Sequence, residues 1–206
     1  MDTSKESRIA QVREALGKQP AAQERWRSQL KIVADRITSF SNVARLLEIG
    51  CGSGAIRDYL PARIHYSGID PIECAHATFD FKIGYAENIP HAEGVFDLVL
   101  VKDAVNYFRE LEPVMSEAFR VLKTNGAVLL TEDVGATYRP GTQKLKNLLK
   151  KHLHLRRNIW DKTYSNFYTS HDVMAVANKL GFSTRYQYTP SDLRYFVTIA
   201  RLEPSD

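Results

Sequence analysis

Leu46-Leu47-Glu48-Ile49-Gly50-Cys51-Gly52-Ser53-Gly54, with Ile64-His65-Tyr66-Ser67-Gly68-Ile69-Asp70 after it, is the stretch on which the fold turns. An apolar run that closes on three glycines in five residues reads as a strand, a tight turn and a helix start. The second run, ending in an acid, reads as the next strand. Glycines let the backbone turn sharply and come close to a ligand, and Asp70 can accept hydrogen bonds from both hydroxyls of a ribose. This order of elements suits a nucleoside cofactor.

Two cofactors compete for such a site. Gly50-x-Gly52-x-x-Ala55 satisfies the relaxed dinucleotide fingerprint, and Asp70 stands about 20 residues beyond the first glycine, as that reading expects. The discriminating residue is Glu48, an ionisable group in an apolar run that should be a buried central strand. Near a pyrophosphate it would repel. Near the ammonium and sulfonium of S-adenosylmethionine it adds favourable Coulomb energy, and it can brace the glycine loop. Glu48 therefore favours the sulfonium cofactor over NAD.

Outward from this core the pattern is parallel α/β. Strands are expected at Arg45–Ile49, Ile64–Ile69, Phe79–Gly84, Phe96–Val101 and Ala127–Thr131. Helices fit between them at Gly54–Leu60, Asp103–Phe108 and Pro113–Lys123, the last ended by Asn125-Gly126. Between Asp70 and Phe79 a full crossover helix has little room, which predicts a compact turn. Before the sheet, Lys5–Phe40 is helical with a break at Gln19-Pro20, and Trp26, Leu30, Val33 and Ile37 share one face. After it, Thr169 and Asp172 form a capping box ahead of Val173, Val176, Ala177 and Leu180, and Gly181 stops that helix. Thr184–Tyr188 and Tyr195–Arg201 read as a closing strand pair.

The sequence resembles a class I, Rossmann-like S-adenosylmethionine-dependent methyltransferase, and within that superfamily the small-molecule, type-11-like family. The likeness runs from about Arg45 to Asp133. Glu48 to Gly54 matches the first motif and Asp70 the acid after the second strand. Tyr85-Ala86-Glu87-Asn88-Ile89-Pro90 matches the segment after strand three, and Val95 to Val101 the fourth strand. Glu117 to Gly126 matches the helix and turn that relatives end as Leu-Lys-Pro-Gly-Gly. The resemblance implies a mostly parallel seven-stranded sheet with an antiparallel C-terminal strand, helices on both faces, N-terminal helices and a helical lid insertion. It implies S-adenosyl-L-methionine as cofactor, held by Glu48, Gly50, Cys51, Gly52, Gly54, Asp70, Pro71, Ala86, Glu87 and Lys102. Two departures stand out. Tyr85 occupies the place of the adenine-contacting acid, so stacking, Ala86 backbone groups or Glu87 would hold the adenine. Lys102-Asp103 follows the fourth strand, where relatives often carry small residues or His; the pair forms a salt bridge or Lys102 meets an acidic substrate.

With 206 residues and a net charge of +4, the chain fits one domain whose charge is unevenly spread. Residues 1–44, a helical cap, carry +3; residues 45–133, the cofactor core, −6; and residues 134–206 carry +7. Within the last third, 134–170 reads as a basic lid insertion ahead of the helix and strand pair at 171–206. Lys144–Arg157 holds six Lys or Arg and no acid, with Leu145, Leu148, Leu149 and Leu153 at helical spacing. That stretch is a solvated helix face, a lid that draws an acidic substrate, or a peripheral contact for an anionic membrane. Nucleic-acid methylation is disfavoured, because Lys102-Asp103-Ala104-Val105 stands where an N/D-P-P-Y/F motif is usual. Cys51 and Cys74 read as free thiols, and the sequence shows neither a signal peptide nor a membrane span; a cytoplasmic protein is expected.

The function expected is methyl transfer to O or N of a small metabolite, with an acidic one among the candidates. A cofactor-binding scaffold without turnover and an NAD-linked oxidoreductase are the alternatives. Candidates for a base are His171, Tyr107 and Asp133, with Asn106 beside Tyr107 at the ligand-facing edge. No metal site is expected.

Overall fold

The computed structural model describes residues 20–74, 77–133, 168–189 and 194–201. Leu46, Leu47, Glu48 and Ile49 are all buried in β1 (Arg45–Ile49), as a strand covered on both faces requires. It pairs in parallel with β2 (His65–Asp70) on one side and β4 (Phe96–Lys102) on the other. β3 (Asp80–Ile83) extends the sheet beyond β2, and β5 (Leu122–Asp133) extends it beyond β4, both in parallel. β6 (Phe182–Thr189) and β7 (Arg194–Arg201) pair antiparallel, and β7 inserts antiparallel against β5. The order is β3-β2-β1-β4-β5-β7-β6, seven strands that reverse direction of travel between β1 and β4. Such a reversal opens a crevice at the carboxyl ends of the strands.

Alternating side chains of each strand feed two apolar layers. Leu46, Leu98, Leu100 and Leu129 meet α1 (Pro20–Thr38) through Leu30, Val33, Ala34 and Ile37, a spacing that lines one helix face. Leu47, Ile49, Val99, Val101, Val128 and Leu130 meet α2 (Leu111–Val121) and α3 (Ser170–Lys179) on the opposite side. Leu111, Val114, Met115, Ala118 and Phe119 supply the α2 stripe, and the Phe119 ring stacks on Phe182 of β6. Trp26, expected on the buried face of α1, is instead 41% exposed, one turn before the contact with the sheet begins.

Several boundaries depart from the sequence reading. The segments after β1 and β4 are short 3₁₀ turns, Ala55–Tyr59 and Val105–Tyr107, not α-helices. Each is a single turn closed by a hydrogen bond three residues back, Leu60 N–H to Arg57 and Phe108 N–H to Val105, and each buries one side chain, Ile56 and Val105. Asn125-Gly126 does not end a helix. α2 stops at Val121 and the chain enters β5 directly at Leu122, which pairs with Phe96 before a register shift. A Cβ at Gly126 would come within 2.8 Å of the Leu122 side chain, so the glycine serves this irregular entry. The compact connection between β2 and β3 contains bends and no helix among its described residues. The capping box is present: the Asp172 N–H donates to Thr169 Oγ1 and the Thr169 N–H to Asp172 Oδ2. Gly181 follows at φ +83°, the left-handed turn that stops the helix. Residues 1–19 and the basic stretch 144–157 lie outside the described residues.

Candidate active site

Four parallel strands deliver their carboxyl ends to one open cleft. Ile49 and Gly50 come from β1, Ile69, Asp70, Pro71 and Ile72 from β2, and Gly84, Tyr85 and Ala86 from β3. Asp103, Ala104, Tyr107 and Phe108 complete the lining from β4. This is the crevice that the strand order predicts. Its ionisable carboxylates are Asp70 and Asp103, and no Lys, Arg or His stands among the lining residues.

The glycine loop is closed by its own backbone. Gly50 and Cys51 N–H both donate to the Ile69 carbonyl, at 2.9 and 3.1 Å, and Gly54 N–H donates to Cys51 at 2.9 Å. Gly50, Gly52 and Gly54 have φ of +72°, +56° and +67°, the region that costs an L-residue roughly 1–2 kcal/mol. Packing adds a second demand. A Cβ at Gly50 would stand 2.8 Å from the Ala104 Cβ, and one at Gly54 2.5 Å from the Phe79 ring. Neighbouring protein, as much as a ligand, thus requires these glycines.

Asp70 is 1% exposed and staples the loop to the second strand. Its Oδ2 accepts from Gly52 N–H and its Oδ1 from Ile72 N–H, each at 2.9 Å.

Glu48 is 2% exposed and is not among the cleft's lining residues. Strand alternation puts it on the α1 side with Leu46, where Tyr66 of β2 donates its hydroxyl to Glu48 Oε2. Burial pushes the Glu48 carboxyl up to about 7, while the Lys102 ammonium and the Tyr66 hydroxyl pull it down. Burial, and then the Glu48 charge, hold the Tyr66 phenol well above its ordinary range. Lys102 does not line the cleft either. Its ammonium donates to Asp103 Oδ2 at 2.9 Å, the salt bridge among the two roles open to it from sequence.

The segment after β4 is shaped by residues far away in sequence. Asp103 has φ +53°, the only positive φ among described non-glycine residues. Its N–H donates to the Thr131 carbonyl at 2.9 Å, and the buried Glu132 accepts from Val105 N–H at 2.9 Å. Asn106 Oδ1 accepts from Tyr168 N–H at 3.0 Å, and the Tyr168 hydroxyl donates to the Arg109 carbonyl at 2.9 Å. Glu87, outside the lining, accepts from Arg109 N–H at 3.1 Å and so ties the loop after β3 to the loop after β4.

Of the base candidates, Tyr107 reaches the cleft wall. His171 is exposed in the first turn of α3, away from the lining. Asp133 ends β5 opposite Arg194, and its side chain lies outside the described residues. The sequence pointed to Asp103 only as a salt-bridge partner of Lys102, and did not single out Glu132 or the Asn106–Tyr168 bond. For Glu132 a signal existed: Val128, Leu130 and Glu132 share a strand face, which turns the acid inward. Among the described residues no group of His, Cys, Asp and Glu is arranged to hold a metal.

Residues 47–130 match the family model described as a methyltransferase domain. Malonyl-[acyl-carrier protein] O-methyltransferase of Geobacter sulfurreducens is 28% identical over 89% of this chain and 74% of its own length. Norajmaline N-methyltransferase of Rauvolfia serpentina is 26% identical over 52% of this chain and 41% of its own, so that match spans less than half of the relative. Among solved structures, a SAM-dependent methyltransferase of Thermotoga maritima aligns with TM-score 0.62 at 21% identity, covering 84% of this chain and 89% of that one. Another from Archaeoglobus fulgidus gives 0.61 at 14% identity over 85% and 94%. At those identities the structures establish the fold. The sheet order, the glycine loop and the sequence matches point the same way, and together they support a class I S-adenosylmethionine-dependent methyltransferase of the type-11 family, the match to the family model covering residues 47–130.

Proposed function

We propose that this enzyme methylates an oxygen or nitrogen of a small molecule, and that its cofactor lies across the carboxyl ends of β1, β2 and β3. The observation that carries the placement is the composition of the cleft: two carboxylates, aromatic and aliphatic walls, and no described cation. That lining suits a ligand with a net positive head and a planar base, and opposes a pyrophosphate. S-adenosylmethionine supplies a methyl group on positively charged sulfur. Everything else is done by position.

Asp70 would take the ribose hydroxyls, with Pro71 and Ile72 beneath the sugar. Gly50, Cys51, Gly52 and Gly54 would pass close to the amino-acid portion. Tyr85 and Ala86 would flank the adenine by stacking and backbone contact, in place of the missing acid. Glu48 would act from below the loop, through Tyr66 and Lys102, and Glu87 by holding Arg109. The pull on an acidic acceptor expected from residues 144–157 has no counterpart in the described cleft wall. The relatives are named as an O-methyltransferase of malonyl-[acyl-carrier protein] and an N-methyltransferase of norajmaline, which keeps the acceptor open at the level of O or N. Two free cysteines, and the lack of any described helix long and apolar enough to cross a membrane, support a cytoplasmic site.

Calorimetry tests the assignment. S-adenosylhomocysteine should bind and NADH should not, and Asp70→Ala should weaken the former about tenfold or more, the worth of charged hydrogen bonds. Equal affinity of wild type and variant would refute the placement.

A further inference from the structure

Glu48 sits behind the cleft wall rather than on it. It is buried two residues ahead of Gly50, on the strand that delivers Ile49 and Gly50 to the lining, and two strand residues span about 7 Å. The titratable groups around it come from several elements. β2 supplies Asp70 and the Tyr66 hydroxyl, which donates to Glu48 Oε2; Lys102 ends β4 and Asp103 follows it. Cys51 of the glycine loop and Arg57 of the turn after it act on Tyr66. On this side of the sheet α1 turns uncharged side chains inward, Gln29, Leu30, Val33 and Ile37. Three carboxylates, at 48, 70 and 103, therefore share the Lys102 ammonium, which donates to Asp103 at 2.9 Å. With all three ionised, negative charge is in excess, and a further cation in the cleft would offset it. Without that cation a proton does so. Burial raises the Glu48 carboxyl to about 7 against the pull of Lys102 and Tyr66.

We propose that Glu48 distinguishes the methyl donor from its product by charge: it gives a proton to water when a sulfonium enters the cleft, and keeps that proton when the neutral thioether of S-adenosylhomocysteine does. This rests on the methyl-transfer reading above. The two ligands share the base, the ribose and the amino-acid end, and differ by one methyl group and one unit of charge on sulfur. A unit charge roughly 10 Å away through protein changes the proton affinity of a buried carboxyl about tenfold. By linkage the same factor returns as affinity for the donor. It is fully present above the window in which Glu48 ionises, and it is lost as pH falls through that window. Glu48 is thus a positioning and specificity residue that acts through the field it sets up, with no direct contact to the ligand.

The test is calorimetric binding of S-adenosylmethionine and of S-adenosylhomocysteine to wild type, Glu48→Gln and Tyr66→Phe, without acceptor, from about pH 5.5 to 8.5. Buffers of different ionisation enthalpy count the protons released. In wild type the ratio of donor to product affinity should rise about tenfold across this range, and the donor should release about half a proton more than the product near pH 6.5. The α-amino groups of the ligands titrate in all three proteins and cancel in the comparison. In Glu48→Gln both the rise and the extra proton should vanish. Tyr66→Phe removes a bond that favours the ionised carboxyl, so the rise should persist and move to higher pH, which a merely structural role would not cause. Wild type and Tyr66→Phe decide the matter should Glu48→Gln fail to fold. The same pH course of the ratio in wild type and Glu48→Gln, or a rise that Tyr66→Phe leaves in place or moves down, overturns the proposal. Failure of wild type to bind either ligand overturns the methyl-transfer reading instead.

Discussion

At the scale of single residues, two buried or cramped positions make opposite demands on stability. Gly54 combines φ +67° with a Phe79 ring 2.5 Å from any added Cβ, and that ring is edge-packed on Tyr66 and Phe81. Gly54→Ala should cost about 2 kcal/mol or more in urea unfolding, since backbone strain and overpacking add. Glu48 is different, because its cost depends on pH. Unfolded, its carboxyl ionises near 4.5; folded, it ionises at about 7. The folded state therefore loses nothing below 4.5, loses progressively between 4.5 and 7, and carries a constant deficit of about 3 kcal/mol above. Glu48→Gln, which can still accept from Tyr66, should match wild type at acid pH and gain on it as pH rises through that window. Parallel pH profiles of unfolding free energy for the two proteins would refute this. The acid at 48 was legible in sequence. Its direction was not, since one step of strand alternation separates the cleft side from the α1 side.

At the scale of elements, local signals and long-range ties can be told apart by mutation. Thr169 and Asp172 close a capping box whose every partner is within four residues, and it was readable from sequence for that reason. Thr169→Ala should cost about 1 kcal/mol by denaturant titration. Lys179 and Glu112 link α3 to α2 at 2.7 Å, but with side chains 66% and 48% exposed. Water and salt screen such a pair, so Lys179→Ala should change stability by less than about 1 kcal/mol. Asp97 ties three strands at their amino ends, accepting from Ala44 and Arg45 N–H at 3.0 and 2.8 Å and from Lys123 at 2.7 Å. Burial opposes its charge, but the hydrogen bonds from Lys123, Arg45 and Ala44 outweigh that and hold its carboxyl below the usual 3.8. A depressed carboxyl contributes stability above the unfolded value and loses it as pH falls through the folded one. Asp97→Asn should thus be destabilising at pH 7, with the gap to wild type closing below about 3.8. The 3₁₀ turns after β1 and β4 show the limit of local reading: helical composition at Asp103–Phe108 yielded to the hydrogen bonds that pin Asp103 and Val105 to β5, and at Gly54–Leu60 to a loop in which Gly54 N–H closes on Cys51.

At the scale of the molecule, the sheet is layered between α1 on one face and α2 with α3 on the other, and stability should fall from its middle outward. β1, β4 and β5 pair on both edges, whereas β3 has three of its four residues exposed, Ile83 at 59%, and forms one border. Amide exchange should be slowest in β1, β4 and β5 and fastest in β3. Uniform protection across the sheet would contradict this layering. The sequence by itself determined the strand succession, the glycine loop, the acid at 70, the cap of α3 and the antiparallel finish, and through them the family. Those features are written in residues adjacent in the chain, where turn chemistry and side-chain period act locally. Only the tertiary structure decided which carboxylates reach the cleft. Glu48 turns away under its neighbours, and Asp103 turns in because Thr131 and Glu132, on another strand, hold its backbone in a conformation that no local pattern demands.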